Sequence, residues 1–365
     1  ARHASLASQL HGGLQLALAE GQQSGAGRFT LVPAAYSSPY DSLVQARQLV
    51  VEQDVQLVTG LISRNEAASL APLLRQQGVP MIVSDIGANV IDRPAERGPL
   101  IRSSLSYWQA NRALGEWAIE RGQRAVIITA LYEAGYDALY AFRHGFTQAG
   151  GTVLATLVAN SPAELGAQLV LAGASNPDLV YAAFSGSEAL AFTQAYAAAP
   201  LARVPLIGAG FLVDEQLLPR HGALALGIAS VMPWSRALDL AENRSFVTNF
   251  AAATGREADE SAALGYDTGR LLVALAEAGG DLGDFAQLHA TLEQATLVGP
   301  RGRLSFEPAF DEITSPLYLR EVRRTAAGYQ NTVIAQLGTS AAQHQHHAAL
   351  RRELRSGWLY PYLVV

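Results

Sequence analysis

The residues with most chemical reach in this chain stand just behind short apolar runs. Ser63, Ser84, Glu133, Phe184 and Phe211 each follow a run rich in β-branched or aliphatic side chains, on loops that can face one cleft. Ser63, Arg64 and Asn65 also open a helix-patterned stretch that runs to Gln77. In structural terms a Ser or Asn at that place is an N-cap. In chemical terms the same helix start offers free N–H groups and an aligned dipole to a carboxylate, with Ser63 adding a hydroxyl donor. Arg64 brings a fixed charge and a planar fork, which either pairs bidentately with an anion or reaches into solvent.

Covalent and metal chemistry find little support. All 26 basic residues are arginine, which removes Schiff-base lysines, the phosphate-loop lysine and Ser-Lys nucleophile pairs. The absence of cysteine removes thiol catalysis, cysteine-ligated zinc and disulfides. None of the eight histidines sits in a general-base motif. His344 and His347 lie at i,i+3 in a predicted helix, yet no carboxylate or fourth ligand stands near in sequence, so a solvated polar tail is expected and no metal. Phe184-Ser185-Gly186-Ser187 lacks the flanking glycines of a nucleophile elbow, and Gly208-Ala209-Gly210 lacks the third glycine of a dinucleotide fingerprint. No catalytic residue and no cofactor are expected.

The elements that must position these loops alternate between short strand-like runs and longer helical ones. Helices are expected over 6–20, 40–53 and 65–77, and strands over 29–34, 55–59 and 80–84. A second series has helices over 107–121, 137–149, 163–173 and 188–198, with strands over 124–130, 153–158, 179–183 and 205–208. A strand over 225–232 leads out, followed by helices over 244–254 and 261–279. Alternation of this kind is the mark of parallel sheets covered on both faces, here in two doubly wound α/β units. Helices that return after a complete second unit place the chain back on the first. Lobe one is expected to comprise 1–104 and 232–316, and lobe two 105–231 and 317–365, with the tail from 340 unassigned.

Bulk properties agree. A chain of 365 residues with 49% apolar and 16% charged residues suits two buried cores. A net charge of −6 offers no field for a phosphate backbone, so nucleic acid is not an expected partner. No apolar run reaches the ~18–20 residues of a membrane span.

Several segments, in order, resemble the type I periplasmic binding proteins of the leucine/isoleucine/valine-binding family. They are Gly12-Gly13-Leu14-Gln15-Leu16-Ala17, Gly60-Leu61-Ile62-Ser63, Ala71-Pro72-Leu73 and Gly78-Val79-Pro80-Met81-Ile82. Glu133-Ala134-Gly135-Tyr136, Asn176-Pro177-Asp178-Leu179-Val180-Tyr181, Val204-Pro205-Leu206-Ile207-Gly208, Gly265-Tyr266-Asp267 and Leu317-Tyr318-Leu319-Arg320-Glu321-Val322 continue the match to about Gly338.

The resemblance implies two Rossmann-like lobes joined by three hinge crossings, near Ser104, Val231 and Leu317. A small ligand would be clamped between them by closure. It implies ligand contacts at Ser63, Arg64 and Asn65, and on the loop Ser84 to Asn89 with Gly87, Ala88 and Asn89. Glu133, Tyr136, Phe184, Ser185, Phe211 and Trp234 would make contacts from the other side; the aromatics among them would equally serve as lobe-edge packing. It further implies export to the periplasm or cell envelope and a membrane permease of an ABC importer as partner, with a ligand-sensing receptor domain as the rival role. Amino-acid-binding members carry an acid near the strand end at Gly208, where this chain has Gly208-Ala209-Gly210-Phe211. With Glu133 or Asp85 as a substitute anchor for an ammonium the expected ligand is an amino acid; more in keeping with that stretch, it is a small aromatic or aliphatic carboxylate. The family also has a strand ahead of its first helix, so that slot is expected to be filled by residues ahead of Ala1 or by the strand-like 358–365.

Overall fold

The structure, a computed structural model, describes residues 2–34, 39–88, 100–135, 137–279 and 281–346. Helix α1 (Arg2–Gln23) opens the chain, and Leu10, Leu14, Ala17 and Leu18 recur on it at helical spacing, all buried. Residues 29–34, expected as a strand, form none and join no ladder; Leu31 and Val32 are exposed. A β-like pattern becomes a strand only where another strand meets its N–H and C=O groups. Helix α2 (Pro39–Arg47) widens into a π-turn over 48–52. Strand β1 (Val58–Leu61), helix α3 (Arg64–Gln77), β2 (Met81–Asp85) and β3 (Leu100–Ser104) follow, and the three strands pair in parallel. The sequence reading assigned no element to β3.

The chain then crosses to a second sheet. There α4 (Tyr107–Ala118), β4 (Arg124–Ala130), α5 (Asp137–Gln148), β5 (Thr152–Ala159), α6 (Leu165–Ala174) and β6 (Leu179–Ala183) alternate, followed by α7 (Gly186–Ala198) and β7 (Leu206–Gly208). The short α8 (Leu218–His221) leads into β8 (Ala229–Met232). Leu179, Val180, Tyr181 and Ala182 of β6 are wholly enclosed, as are Ala125 to Ile128 of β4, because helices cover both faces of a parallel sheet. After β8 the chain returns through α9 (Ala241–Thr254), α10 (Glu260–Ala278), α11 (Phe285–Gln294), β9 (Leu297–Gly299), β10 (Gly302–Glu307) and β11 (Glu312–Thr314). A third crossing at Ser315 delivers β12 (Pro316–Thr325) and β13 (Gly328–Thr339) to the second sheet, and α12 (Ser340–His344) ends the described chain.

The fold is therefore two α/β lobes. One holds a six-stranded sheet, β1-β2-β3-β11-β10-β9; the other a seven-stranded sheet, β13-β12-β8-β7-β6-β4-β5. Two helix pairs pack with backbones almost in contact. A Cβ on Gly265 of α10 would lie 1.9 Å from the Leu10 carbonyl oxygen of α1, and one on Gly115 of α4 would lie 2.3 Å from that of Phe142 on α5. At the first crossing, buried Arg301 pairs its Nε with Asp267 at 2.5 Å and donates from Nη1 to the Ser104 carbonyl at 2.7 Å. The crossing is thus tied to α10 and to the β9–β10 turn.

Candidate functional site

Open parallel sheets bind ligands outside the carboxyl ends of their strands, and here the loop behind β2 meets the start of α5, behind β4, through the Ala88 carbonyl and Ala138 N. Ser63 caps α3 in a complete capping box: its Oγ accepts from Glu66 N at 3.2 Å, and Glu66 Oε2 accepts from Ser63 N at 2.9 Å. Accepting that bond leaves the hydroxyl proton free to point at an acceptor. The side chains of Arg64 and Asn65 lie outside the described residues, as do Asn89 and Tyr136.

The loop after β2 is the best-defined part. Ser84 is fully buried, with Oγ 3.0 Å from Thr268 Oγ1 on α10. Asp85 takes Arg102 Nε and Nη2 on its two oxygens, each at 2.9 Å, and accepts from Gly87 N at 2.8 Å. Burial raises the Asp85 carboxyl above its ordinary value even against Arg102. Gly87 has φ +70°, and a Cβ there would come within 3.0 Å of Ser104 Oγ and Ser106 N. Only glycine fits that place. The loop's carbonyls then meet helix starts: Ile86 O accepts from Tyr107 N at 3.1 Å and Gly87 O from Trp108 N at 2.8 Å. Ala88 O accepts from Ala138 N of α5 at 3.0 Å, a backbone contact between the two lobes.

From the second lobe, Glu133 is buried on the turn after β4. Burial, and then the charge of Glu133, push the Tyr181 hydroxyl well above its ordinary value. Tyr181 donates to Asn111 Oδ1 at 2.7 Å, and Asn111 donates to the Tyr107 carbonyl at 2.7 Å. Phe211 packs on Tyr107 with ring centroids 4.9 Å apart. Phe184 is enclosed and stacked on Phe192 at 4.4 Å, and Ser185 is buried at the start of α7. Trp234 is wholly enclosed, edge-on to Phe246, with its indole donating to Asn243 at 2.7 Å. The rings of Phe184, Trp234 and Phe211 all lie within core clusters, that of Phe211 against Tyr107.

Three features were not legible in the sequence. Ser106 sits at the first crossing with φ +48° and a wholly buried hydroxyl that has no partner among the described residues. Near Gly210 an acid does arrive, from α10: Glu260 Oε1 lies 3.1 Å from Arg320 Nη1, whose Nη2 donates to the Gly210 carbonyl at 3.2 Å. Burial and then Asp214 raise the Glu260 carboxyl well above its ordinary value. This carboxylate is already engaged by Arg320 and is no free anchor for an ammonium. The third concerns the tail. His344, expected in a solvated segment, is buried against Glu312 and Gln109; His347 lies outside the described residues. Among the described residues, no group of three or more His, Asp or Glu side chains could hold a metal.

Comparison with known proteins fits this geometry. The family described as Periplasmic binding protein matches residues 10–329. The chain is 31% identical over 315 residues to the Leu/Ile/Val-binding protein homolog 6 of Brucella melitensis, covering 83% of this chain and 79% of that one. An ABC transporter substrate-binding protein from Sphaerobacter thermophilus superposes with a TM-score of 0.84 at 28% identity, over 93% of this chain and 95% of that one. A solute-binding protein of an ABC transporter from R. palustris, solved in complex with benzoate, superposes with a TM-score of 0.75 at 31% identity, over 93% of each chain.

Proposed function

The chain belongs to the periplasmic binding protein family, and from that premise we propose that it captures a small aromatic carboxylate between its lobes for an ABC importer. It is a solute-binding protein and not an enzyme. The permease partner, and export to the periplasm or cell envelope, belong to the proposal, as does the division into lobe one (1–104 and 232–316) and lobe two (105–231 and 317–365). What supports that division is the pair of sheets, one made of strands within 58–104 and 297–314, the other of strands within 124–232 and 316–339.

One observation carries the ligand class: the start of α3 offers Ser63 and the helix dipole to an anion, while the acid near Gly210 is already paired with Arg320. An amino acid needs an anchor for its ammonium as well as its carboxylate; a benzoate needs only the second. The benzoate-bound relative supports the same class. The proposed contacts are the α3 start from Ser63 to Asn65, the loop from Ser84 to Asn89, and Glu133, Tyr136 and Phe211 from the second lobe, with Phe184, Ser185 and Trp234 behind them. Binding works by population shift, since a ligand touching both lobes stabilises the closed state selectively.

Isothermal calorimetry with benzoate, benzamide and isoleucine tests the reading. Benzoate is expected to bind and benzamide to bind at least tenfold more weakly, the loss of a charge-assisted bond being worth ~1.5–3 kcal/mol. Equal affinity for acid and amide, or binding of isoleucine alone, overturns it.

A further inference from the structure

The tail helix α12 lies beyond the span that matches the family, which ends at residue 329, yet it reaches the middle of the molecule. Ser340 N donates to the Ser315 carbonyl at 2.8 Å and its Oγ accepts from Ser315 N at 3.1 Å, so the tail is pinned on the third crossing. Gln343 meets Arg112 on α4 in one lobe, while His344 meets Glu312 on β11 in the other. His344 Nε2 lies 3.2 Å from Glu312 Oε2 and 2.9 Å from the Gln109 side-chain amide. A proton on that nitrogen serves both when the amide turns its oxygen toward the ring.

From Glu312 a buried chain of charges leads to the ligand loop. Glu312 Oε1 accepts from Ser104 Oγ at 2.9 Å, Oε2 lies 3.9 Å from Arg102 Nη1, and Arg102 grips both oxygens of Asp85, which holds Gly87 N. Two carboxylates thus share one guanidinium in a water-poor site, and the His344 ring lies against the second. Burial alone would raise the Glu312 carboxyl; Arg102, His344 and Ser104 outweigh it and hold it at about 2.

We infer that His344 is a positioning residue for the ligand loop Asp85–Ala88, acting through Glu312 and Arg102 and so making α12 part of the binding apparatus. The role of the loop rests on the function proposed above; the linkage itself does not. Without His344, Glu312 draws Arg102 toward itself, and the bidentate grip on Asp85 that sets the Gly87 turn loosens. A merely structural tail would lower stability everywhere and leave the loop no more mobile than the rest.

Hydrogen exchange with peptide resolution on the full chain separates the two. In His344→Ala, exchange over 82–88 is expected to quicken about fivefold or more while 179–183, in the core of the other lobe, stays as in wild type. His344→Gln keeps a donor for Glu312 and should restore most of the protection, and it also serves if the alanine variant fails to fold. Unchanged exchange over 82–88, or a rise of equal size over 179–183, overturns the inference. Benzoate affinity of Asp85→Asn, His344→Ala and the double variant adds a second readout. The two effects should fall short of multiplying, because both variants break one chain, whereas independent sites multiply. Failure of wild type to bind benzoate counts against the aromatic-acid reading and leaves the exchange result to decide the linkage.

Discussion

Two residues of the proposed site also do structural work. Ser63 accepts the Glu66 amide, so Ser63→Ala should cost about 1 kcal/mol of stability through the lost cap. Ser63→Asp retains a good cap but sets a carboxylate where the ligand's would rest. Its urea midpoint should stay near that of wild type while benzoate affinity falls at least tenfold; calorimetry beside urea melts reads both. Gly87 is constrained by its φ of +70° and by Ser104 and Ser106 within 3.0 Å. Gly87→Ala should destabilise by roughly 1–3 kcal/mol and abolish binding, since the loop's carbonyls could no longer reach the starts of α4 and α5. An alanine variant that melts and binds like wild type would show that the turn is not needed in this form.

At the scale of elements, α10 has two separate duties. Its face toward α1 has no room for a side chain at Gly265, so Gly265→Leu should cost several kcal/mol, of order 3–5, measurable as a lowered urea midpoint. Its first turn enters the junction between lobes. Asp259 caps it by accepting from Ala262 N at 2.9 Å and also takes the Gln216 side-chain amide from the other lobe. Burial, followed by the charge of Asp214, raises Asp259 to about 7 against the Ala262 and Ser261 amides and Arg236. Between about pH 4 and about pH 7 the unfolded chain has released a proton that the folded protein keeps. Stability attributable to this group therefore falls as pH rises through that window, by at most about 1.4 kcal/mol per pH unit, and the cost is absent below it. Asp259→Asn keeps the cap and cannot ionise. Thermal midpoints taken from pH 4.5 to 7.5 should decline less steeply in the variant; parallel curves would mean that Asp259 titrates normally.

At the scale of the whole molecule the two lobes share packing. Its apolar core is continuous across the junction, with Leu10, Ala88 and Leu264 in one cluster with Phe211, Met232 and Leu317. The contact from Ala138 N to Ala88 O spans the lobes. A ligand that selects this state should protect the Ala138 amide from exchange, reduce the radius of gyration in small-angle scattering, and raise stability by ~2.7 kcal/mol at a hundred times Kd. Protection of Ala138 that does not respond to a saturating ligand would mean that closure is independent of binding.

Local pattern alone was enough for much of this chain. Strands at 124–130 and 179–183, and the helix from Arg64 to Gln77 with its Ser63 cap, follow from apolar runs, helical spacing and a capping residue, all short-range properties. The loops behind those strands were legible for the same reason. Three-dimensional pairing decided the remainder, because it joins residues that no sequence window contains. Residues 29–34 carry a strand pattern yet form no strand among the described residues, since a ladder needs a neighbour. Glu260 meets Arg320 across 60 positions, and His344 meets Glu312 across the third crossing. A histidine in a polar tail and an acid at a helix start look like solvent-facing residues until folding removes their water. Only then must each find a partner, and that requirement, invisible in the linear chain, determines which polar groups remain free for a ligand.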